Sequence, residues 1–182
     1  MQQAVNSEWE CLIRAQRGDE TASRVLIGRY QARLLALALF ITGSVAAADD
    51  VVQETFVRAL RTKIKHRTGT VQALLSTIAY RLALKEANRL RRNVALDKLD
   101  LLDRDRNALE SVLSDELDRL VAETIGALNA EHRDVLVLRF YGGHSYEEIA
   151  DILQTSLGTV KSRIFYAVKS CRETLRRKGV LE

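Results

Sequence analysis

A chain of 182 residues has room for one domain of ordinary size or two small ones. Hydrophobic residues make up 47%, which excludes wholesale disorder, and a net charge of +4 suggests an anionic partner without identifying it. Cys11 and Cys171 have no CxxC pattern and no His at metal-ligand spacing, so we expect two reduced thiols.

Helix signals recur along the first half of the chain, and strand signals do not. The predicted helices lie at residues 8–17, 22–41, 46–61 and 71–92. Gly43 suits a left-handed C-cap and Ser44 the next N-cap. The apolar run at 34–41 is too short to span a bilayer and predicts a buried helix. With a polar N-terminus that has no secretory signal, a cytoplasmic protein is expected.

Charge is unevenly distributed along the chain. Residues 58–92 carry ten Lys or Arg and one acid, residues 93–124 carry nine acids and four bases, and residues 159–178 carry seven bases and one acid. The apolar pattern becomes irregular at 93–113, which predicts an acidic linker between two helical domains. Each charge run alone can be a solvated face, but two basic blocks in separate domains suit contact with DNA at two places.

The second half predicts a helix-turn-helix unit. Its predicted helices lie at residues 114–127, 130–141, 146–153 and 157–177. Ser145 and Glu148 form an S-x-x-E capping box, Ala150 is small where two helices must cross closely, and Ser156 suits the N-cap of the second helix. Because that second helix is basic, we expect it to enter the major groove of double-stranded DNA. A helical hairpin used only for protein contacts is the alternative.

The predicted recognition helix has two faces. Its apolar positions recur every three or four residues and should pack inward: Val160, Ile164, Val168, Cys171 and Leu175. Side chains in the first turns of the other face can reach base edges, and flanking cations can hold phosphates. The candidates for this DNA contact are Ser156, Thr159, Lys161, Ser162, Arg163 and Tyr166.

Two stretches of the sequence together resemble one protein family. Residues 138–150 (LRFYGGHSYEEIA) and 158–163 (GTVKSR) resemble region 4 of bacterial sigma factors, best matched by the extracytoplasmic-function (ECF) group. Residues 48–56 (ADDVVQETF) resemble region 2 of the same family. GTVKSR alone also occurs in other helix-turn-helix regulators, but with the upstream motif in the right order and spacing it is specific. The resemblance covers nearly the whole chain.

The resemblance implies an all-α protein of two small helical domains. Region 2 would occupy residues 1–92, an acidic linker residues 93–113, and region 4 with its helix-turn-helix residues 114–182. The implied function is a promoter-specificity subunit without catalysis, cofactor, metal or small-molecule substrate. Its partners would be core RNA polymerase (the β′ clamp helices and the β flap), promoter DNA with −35 and −10 elements, and commonly an anti-sigma factor.

Site residues follow from the same resemblance. The polar face of the helix at 46–61 would contact the clamp helices through Asp49, Asp50, Gln53 and Glu54. The −10 element would be bound, and its duplex opened, by a basic loop and the helix after it, with these candidates: Lys63, Lys65, Arg67, Arg81, Lys85, Asn88, Arg89 and Arg92. From composition alone, the acidic face can equally be a solvated surface, and the linker can mimic RNA or serve as a solvated connector.

The sequence departs from the family pattern around the predicted −10 surface. Leu74 lies where the family often has Trp, residues 81–85 read RLALK where NLALD is common, and the loop at 62–70 has no Asn. The −10 base preference is therefore open. Other hypotheses are a stand-alone helix-turn-helix regulator with an N-terminal dimerisation or sensing domain, and a nucleic-acid enzyme. The sequence has no P-loop, and its three histidines lack metal-ligand spacing.

Overall fold

The computed structural model describes residues 2–62, 69–94 and 116–180. The helices are α1 Gln2–Gln16, α2 Glu20–Thr42, α3 Val45–Arg61, α4 Val71–Val94, α5 Glu116–Gly126, α6 Ala130–Leu136, α7 Tyr146–Leu153 and α8 Leu157–Arg177. These ranges contain no strand, in agreement with the all-α prediction. The predicted linker at 93–113 lies almost wholly outside the described residues.

Short-range capping sets the helix boundaries of the N-terminal half. The Asp19 side chain accepts a hydrogen bond from the Ala22 amide at 3.0 Å and begins α2. Gly43, at φ 69°, ends α2 in the left-handed conformation that glycine adopts without steric cost, and Ser44 begins α3. Both of these caps were predicted. The first helix begins at Gln2, earlier than predicted, since no Gly or Pro interrupts residues 2–7.

Helix α2 is the centre of the N-terminal bundle. It packs against α1, α3 and α4, and its residues 36–41 are all buried. A helix that is covered on several sides can be apolar nearly all round, which explains its composition. By length and composition alone α2 could also cross a membrane, but half of its apolar window is buried inside this structure. The apolar run at 34–41 is therefore part of a core helix, as predicted.

The C-terminal bundle contains the predicted helix-turn-helix as α7, a short turn and α8. Ile149 of α7 and Val160 of α8 are fully buried, and Ala150 is 8% exposed at their crossing. Gln154 ends α7 at φ 51°, in the left-handed region. In α8, Ala167 is buried with Val160 and Ile164, whereas Val168, Cys171 and Leu175 are only partly buried.

The predicted capping box at the start of α7 is present. The Glu148 amide donates to Ser145 Oγ at 3.1 Å, and the Ser145 amide donates to Glu148 Oε2 at 2.8 Å. We expect Ser145→Ala to lower the free energy of unfolding by about 1 kcal/mol, because one helix-terminal amide loses its acceptor. Urea denaturation measures this change. Ser170→Ala, in the interior of α8, should leave stability nearly unchanged, and equal losses in both variants would contradict the role of the cap.

Helix α6 differs from the prediction at its C-terminal end. The sequence predicted one α-helix over 130–141, but residues Val137–Tyr141 form a π-helical turn that ends with the Gly142 amide donating to Val137 O at 3.0 Å. A Cβ at Gly142 would lie 2.6 Å from Leu138 O, so this position requires glycine. The wider turn brings the Tyr141 ring against Phe40 of α2, at 5.1 Å between centroids.

The two bundles lie against each other. One continuous cluster of buried apolar side chains includes Leu37 and Leu75 from the N-terminal bundle and Leu138 and Ile149 from the C-terminal bundle. Helix α2 also contacts the π-helical turn. The sequence predicted two helical domains but not this contact between them, because pairing between residues so far apart along the chain leaves no local pattern.

Candidate nucleic-acid and polymerase interfaces

The N-terminal end of α8 carries the six candidates for DNA contact. Ser156 Oγ accepts from the Thr159 amide at 3.0 Å and lies 2.8 Å from Thr159 Oγ1. The Ser156 hydroxyl is therefore the N-cap of the helix, and the Thr159 hydroxyl is hydrogen-bonded to it. Lys161, Ser162 and Tyr166 are exposed on one side of the following turns, as the sequence predicted.

Arg163 is placed differently from the prediction. Its side chain is only 23% exposed, and Nη2 lies 2.9 Å from Glu131 Oε2 of α6. The sequence pattern placed Arg163 on or beside the open face with Lys161, but the guanidinium turns back along the C-terminal bundle. Glu131 lies 32 positions earlier in the chain, so no helical periodicity reveals this pair.

The exposed face of α8 includes an aromatic residue that sequence reasoning missed. Phe165 is 65% exposed and packs edge to face against Tyr166, with 5.4 Å between ring centroids. It lies four residues after Lys161 and three after Ser162, so helical spacing places all three on one face. This helical spacing is the sequence signal from which the exposure of Phe165 could have been predicted. An exposed aromatic ring in a major groove can contact the thymine methyl group.

Helix α4 presents a basic face. The five candidates that lie in the described residues are all exposed, and their spacing (i, i+4, i+7, i+8 and i+11) places them on one side of the helix: Arg81, Lys85, Asn88, Arg89 and Arg92. Lys63, Lys65 and Arg67 lie outside the described residues. Arg89 forms a bidentate ion pair with Glu86, with a shortest distance of 2.6 Å, and this hydrogen bonding lowers the pKa of the Glu86 carboxyl. Glu86 therefore neutralises part of the positive charge of this face within α4 itself.

Helix α3 presents an acidic face opposite its buried side. Asp49, Asp50, Gln53 and Glu54 are exposed, and Glu54 pairs with Arg58 at 2.6 Å. The hydrogen bonds to Glu86 raise the pKa of the Arg89 guanidinium, and the Asp50 carboxylate of α3 adds a smaller effect. Helices α3 and α4 pack against each other, and each leaves its charged face exposed.

A third set of polar residues on α4 contacts the C-terminal bundle. We call Gln72, Ser76 and Tyr80, which recur every four residues, the interdomain stripe. Gln72 Nε2 donates to Tyr141 O at 3.1 Å, Ser76 Oγ donates to Gly142 O at 3.1 Å, and Tyr80 OH donates to Asp134 Oδ2 at 2.7 Å. Sequence reasoning assigned none of these residues a role.

One buried and one partly buried titratable group, His144 and Asp134, lie where the stripe meets the C-terminal bundle. His144 is 1% exposed and its Nε2 lies 2.8 Å from Ser76 Oγ; burial lowers its pKa, which favours the neutral ring. Burial raises the pKa of Asp134, and the hydrogen bond from Tyr80 opposes this effect. Neither group belongs to a cluster of three or more possible metal ligands within the described ranges.

Comparisons with known proteins give a family match in each half of the chain. The family model for Sigma-70 region 2 matches residues 26–93, and the model for Sigma-70 region 4 matches residues 124–173. The ECF RNA polymerase sigma factor SigL of Mycobacterium tuberculosis is 36% identical over 160 residues, covering 86% of this chain and 90% of that protein. The chain belongs to the ECF sigma factors. It is therefore a transcription initiation factor that acts with RNA polymerase, and it is not an enzyme.

Further relatives of this ECF sigma factor support the same family. The RNA polymerase sigma-H factor of Pseudomonas aeruginosa is 33% identical, covering 90% of this chain and 91% of that protein. Among solved structures, CnrH bound to the cytosolic domain of CnrY has a TM-score of 0.61 and 26% identity, and covers 92% of this chain and 96% of that chain. RpoE bound to the anti-sigma factor NepR, from Bartonella quintana, has a TM-score of 0.62 at 21% identity, covering 84% and 96% of the two chains; it shows the shared fold.

The two family matches correspond to parts of the two bundles. The region 2 match contains most of α2 and all of α3, with α4 nearly to its end, and the region 4 match contains α6, the π-helical turn, α7 and most of α8. The acidic face of α3 and the basic face of α4 thus belong to region 2, and the exposed face of α8 belongs to region 4. A stand-alone regulator and a nucleic-acid enzyme do not fit this pair of matches.

Proposed function

We propose that this ECF sigma factor reads the −35 element with the exposed face of α8 and the −10 element with the basic face of α4. The supporting observation is that an acidic face on α3 and basic faces on α4 and α8 are exposed on three separate helices. The domain boundaries proposed for this function are residues 1–92 for region 2, 93–113 for the linker and 114–182 for region 4.

In region 4, Lys161, Ser162 and Tyr166 contact the major groove, and Phe165 joins them on the same face. Ser156 and Thr159 fix the start of the helix, so their hydroxyls contribute by positioning, while their backbone approaches the DNA. Arg163 contacts DNA only after it leaves Glu131. Two modest DNA interfaces on one polymerase-bound protein act multivalently, so each of them can be weak.

In region 2, Arg81, Lys85, Asn88, Arg89 and Arg92 hold the −10 element, together with Lys63, Lys65 and Arg67 of the preceding loop. Cationic side chains neutralise the DNA backbone, and binding of an unstacked base promotes opening of the duplex. The acidic face of α3, formed by Asp49, Asp50, Gln53 and Glu54, docks on the β′ clamp helices. Region 4 also contacts the β flap.

An anti-sigma factor is a further proposed partner. Both similar solved structures are complexes: the sigma factor RpoE is bound by the anti-sigma factor NepR, and CnrH is bound by the cytosolic domain of CnrY. Because the protein acts with RNA polymerase on DNA, a cytoplasmic location is part of this proposal. A response to stress fits this mode of control.

Replacing Lys161 with alanine tests the −35 contact. We expect weaker promoter-dependent transcription with core polymerase present and a decrease of about 1 in the slope of log affinity against log salt, because one cationic contact is lost. Arg24→Ala, an 82% exposed cation on α2, is the matched control and should leave both quantities unchanged. Unchanged initiation and salt slope in the Lys161 variant would remove this residue from the mechanism.

The proposed function as a whole is tested by in vitro transcription from a library of genomic fragments. Core polymerase with the wild-type protein should produce transcripts whose mapped start sites share two upstream elements. The absence of any promoter-dependent transcript across the library would contradict the proposal. Mapped start sites would also provide the −10 base preference that the atypical residues 81–85 leave open.

A further inference from the structure

Helix α8 is longer than a major groove can hold. It has 21 residues, Leu157–Arg177, and is about 31 Å long at a rise of about 1.5 Å per residue. The major groove of double-stranded DNA is about 12 Å wide and about 8.5 Å deep. With the first turns of α8 in the groove, as proposed above, the second half of the helix therefore lies over the phosphate backbone at the edge of the groove.

The second half of α8 continues the exposed face of the first turns. Lys169 and Arg172, which we call the distal cations, are both exposed, and at about 100° per residue they lie within about 80° of Lys161 around the helix axis. Phe165, 65% exposed, lies between them and Lys161 on the same face. The distal cations lie about 12 and 16 Å beyond Lys161 along the axis, so a duplex held by the first turns continues toward them.

The distal cations lack the acidic neighbours that exposed arginines have on other helices. On α2, α3 and α4, an exposed arginine forms an ion pair with a glutamate three or four residues earlier: Arg24 with Glu20, Arg58 with Glu54, and Arg89 with Glu86. The residues three and four positions before Lys169 are aromatic, and those before Arg172 are Lys169 and Val168. Among the residues that the structure describes, neither distal cation forms an ion pair. Both charges are therefore available to a ligand.

We propose that the distal cations, Lys169 and Arg172, form a second DNA contact on α8, which binds the phosphate backbone at the edge of the major groove. This inference rests on the proposed placement of α8 on DNA. Like charges one turn apart on a helix repel each other, and a bound polyanion offsets the repulsion between Lys169 and Arg172. Double-stranded DNA carries one phosphate charge per about 1.7 Å of axis, so both cations meet phosphates without a precise register.

The position of the distal cations favours phosphate over base edges and over an acidic protein surface. Their separation from Lys161 along the helix exceeds the depth of the groove, about 8.5 Å, so they lie outside the part of the groove where base edges are read. A duplex held at Lys161 passes beneath them, and an acidic protein surface would have to displace that duplex. Helix α8 contains six Lys or Arg and a single acid, Glu173, which suits a polyanion along its length.

A phosphate contact has a distinct signature in binding measurements. Phosphates carry no sequence information, so the distal cations should raise affinity for all double-stranded DNA and leave the −35 preference unchanged. Each neutralised phosphate contributes about 0.9 to the slope of log affinity against log salt, and the pair therefore contributes about 2. Between about 50 and about 200 mM salt, the wild type should lose about tenfold more affinity than a variant without these two charges.

The test measures binding of a fluorescently labelled promoter duplex to the full-length protein in complex with core polymerase, at several salt concentrations. Lys169→Gln/Arg172→Gln removes both charges and should lower the magnitude of the salt slope by about 2. Arg24→Gln/Arg177→Gln is the matched control, because it makes the same change in net charge at two exposed arginines. Arg177 lies on α8 but about 160° from Lys161 around the axis, so the control should leave the slope unchanged.

Two further comparisons complete the test. The charge-preserving variant Lys169→Arg/Arg172→Lys should retain the wild-type slope, and a lower slope in it would overturn the inference. So would an unchanged slope in Lys169→Gln/Arg172→Gln, an equal decrease in the control, or loss of the −35 preference in Lys169→Gln/Arg172→Gln.

A promoter duplex with a scrambled −35 element separates this inference from the proposed function. Equal binding of both duplexes by the wild type would contradict −35 reading by α8. A lower slope in Lys169→Gln/Arg172→Gln under that outcome would still support the backbone contact, because the slope counts phosphates and not bases.

Discussion

Replacing Leu138 with alanine is expected to lower the free energy of unfolding by about 2–5 kcal/mol and to abolish −35 recognition. Leu138 is fully buried in the π-helical turn, and its carbonyl accepts the His144 amide at 3.2 Å. Truncation removes buried methyl groups and leaves a cavity, and both effects destabilise the folded state. The turn also positions the segment that leads into α7. We therefore expect the truncation to disturb the position of the helix-turn-helix.

Urea denaturation followed by circular dichroism measures the stability change of the Leu138 variant, and transcription with core polymerase measures the functional one. Val25→Ala is the matched control, because Val25 is 48% exposed on α2 and its truncation leaves no cavity. We expect a change within about 0.5 kcal/mol for the control. A loss below 1 kcal/mol in Leu138→Ala would show that the bundle repacks around the smaller side chain.

The second large effect is expected from reversing charge on the acidic face of α3. Asp50→Lys/Glu54→Lys should weaken binding to core polymerase by about 100-fold or more, since close interfacial charge pairs couple by about 1.5 kcal/mol or more each. The fold should persist, because both residues are exposed and the surface pair of Glu54 with Arg58 contributes only about 0.3–0.5 kcal/mol.

Fluorescence anisotropy of labelled protein, titrated with core polymerase, measures this loss. Glu10→Lys/Glu20→Lys is the matched control: it makes the same change in net charge at two exposed acids on α1 and α2. If the α3 variant and the control bind polymerase equally well, the acidic face of α3 is only a solvated surface. If both bind weakly, net charge rather than this face controls association.

Local sequence determined most of the helices and the helix-turn-helix. Caps such as Asp19, Ser44 and Ser145 act on amides three residues away, so their effects can be predicted from a short window of sequence. The apolar spacing in α3 similarly predicted one inward face and an exposed acidic face. On the inward face Val51, Val52, Thr55 and Ala59 are buried, and Phe56 and Leu60 are partly buried. Faces of single helices are periodic, and periodicity is visible in sequence.

Helical periodicity did not predict the structure where a helix face contacts an element that is distant in the sequence. Arg163 lies on or beside the exposed side of its own helix by spacing, but Glu131 of α6 holds it back. The π-helical turn at Val137–Tyr141 was missed for a related reason, because it places Tyr141 against Phe40 of α2, and nothing within one turn of α6 predicts that contact.

The exposed face of α8, which we propose reads DNA, was thus identifiable from sequence, and the fold adds Phe165 to it and turns Arg163 inward. The contact between regions 2 and 4 was decided by tertiary structure alone. Gln72 and Tyr80 reach partners 69 and 54 residues away, and such polar pairs leave no periodic pattern in either segment. Local interactions specify the helices because they act within four residues. The contact between the two bundles depends instead on which surfaces meet after the helices have formed.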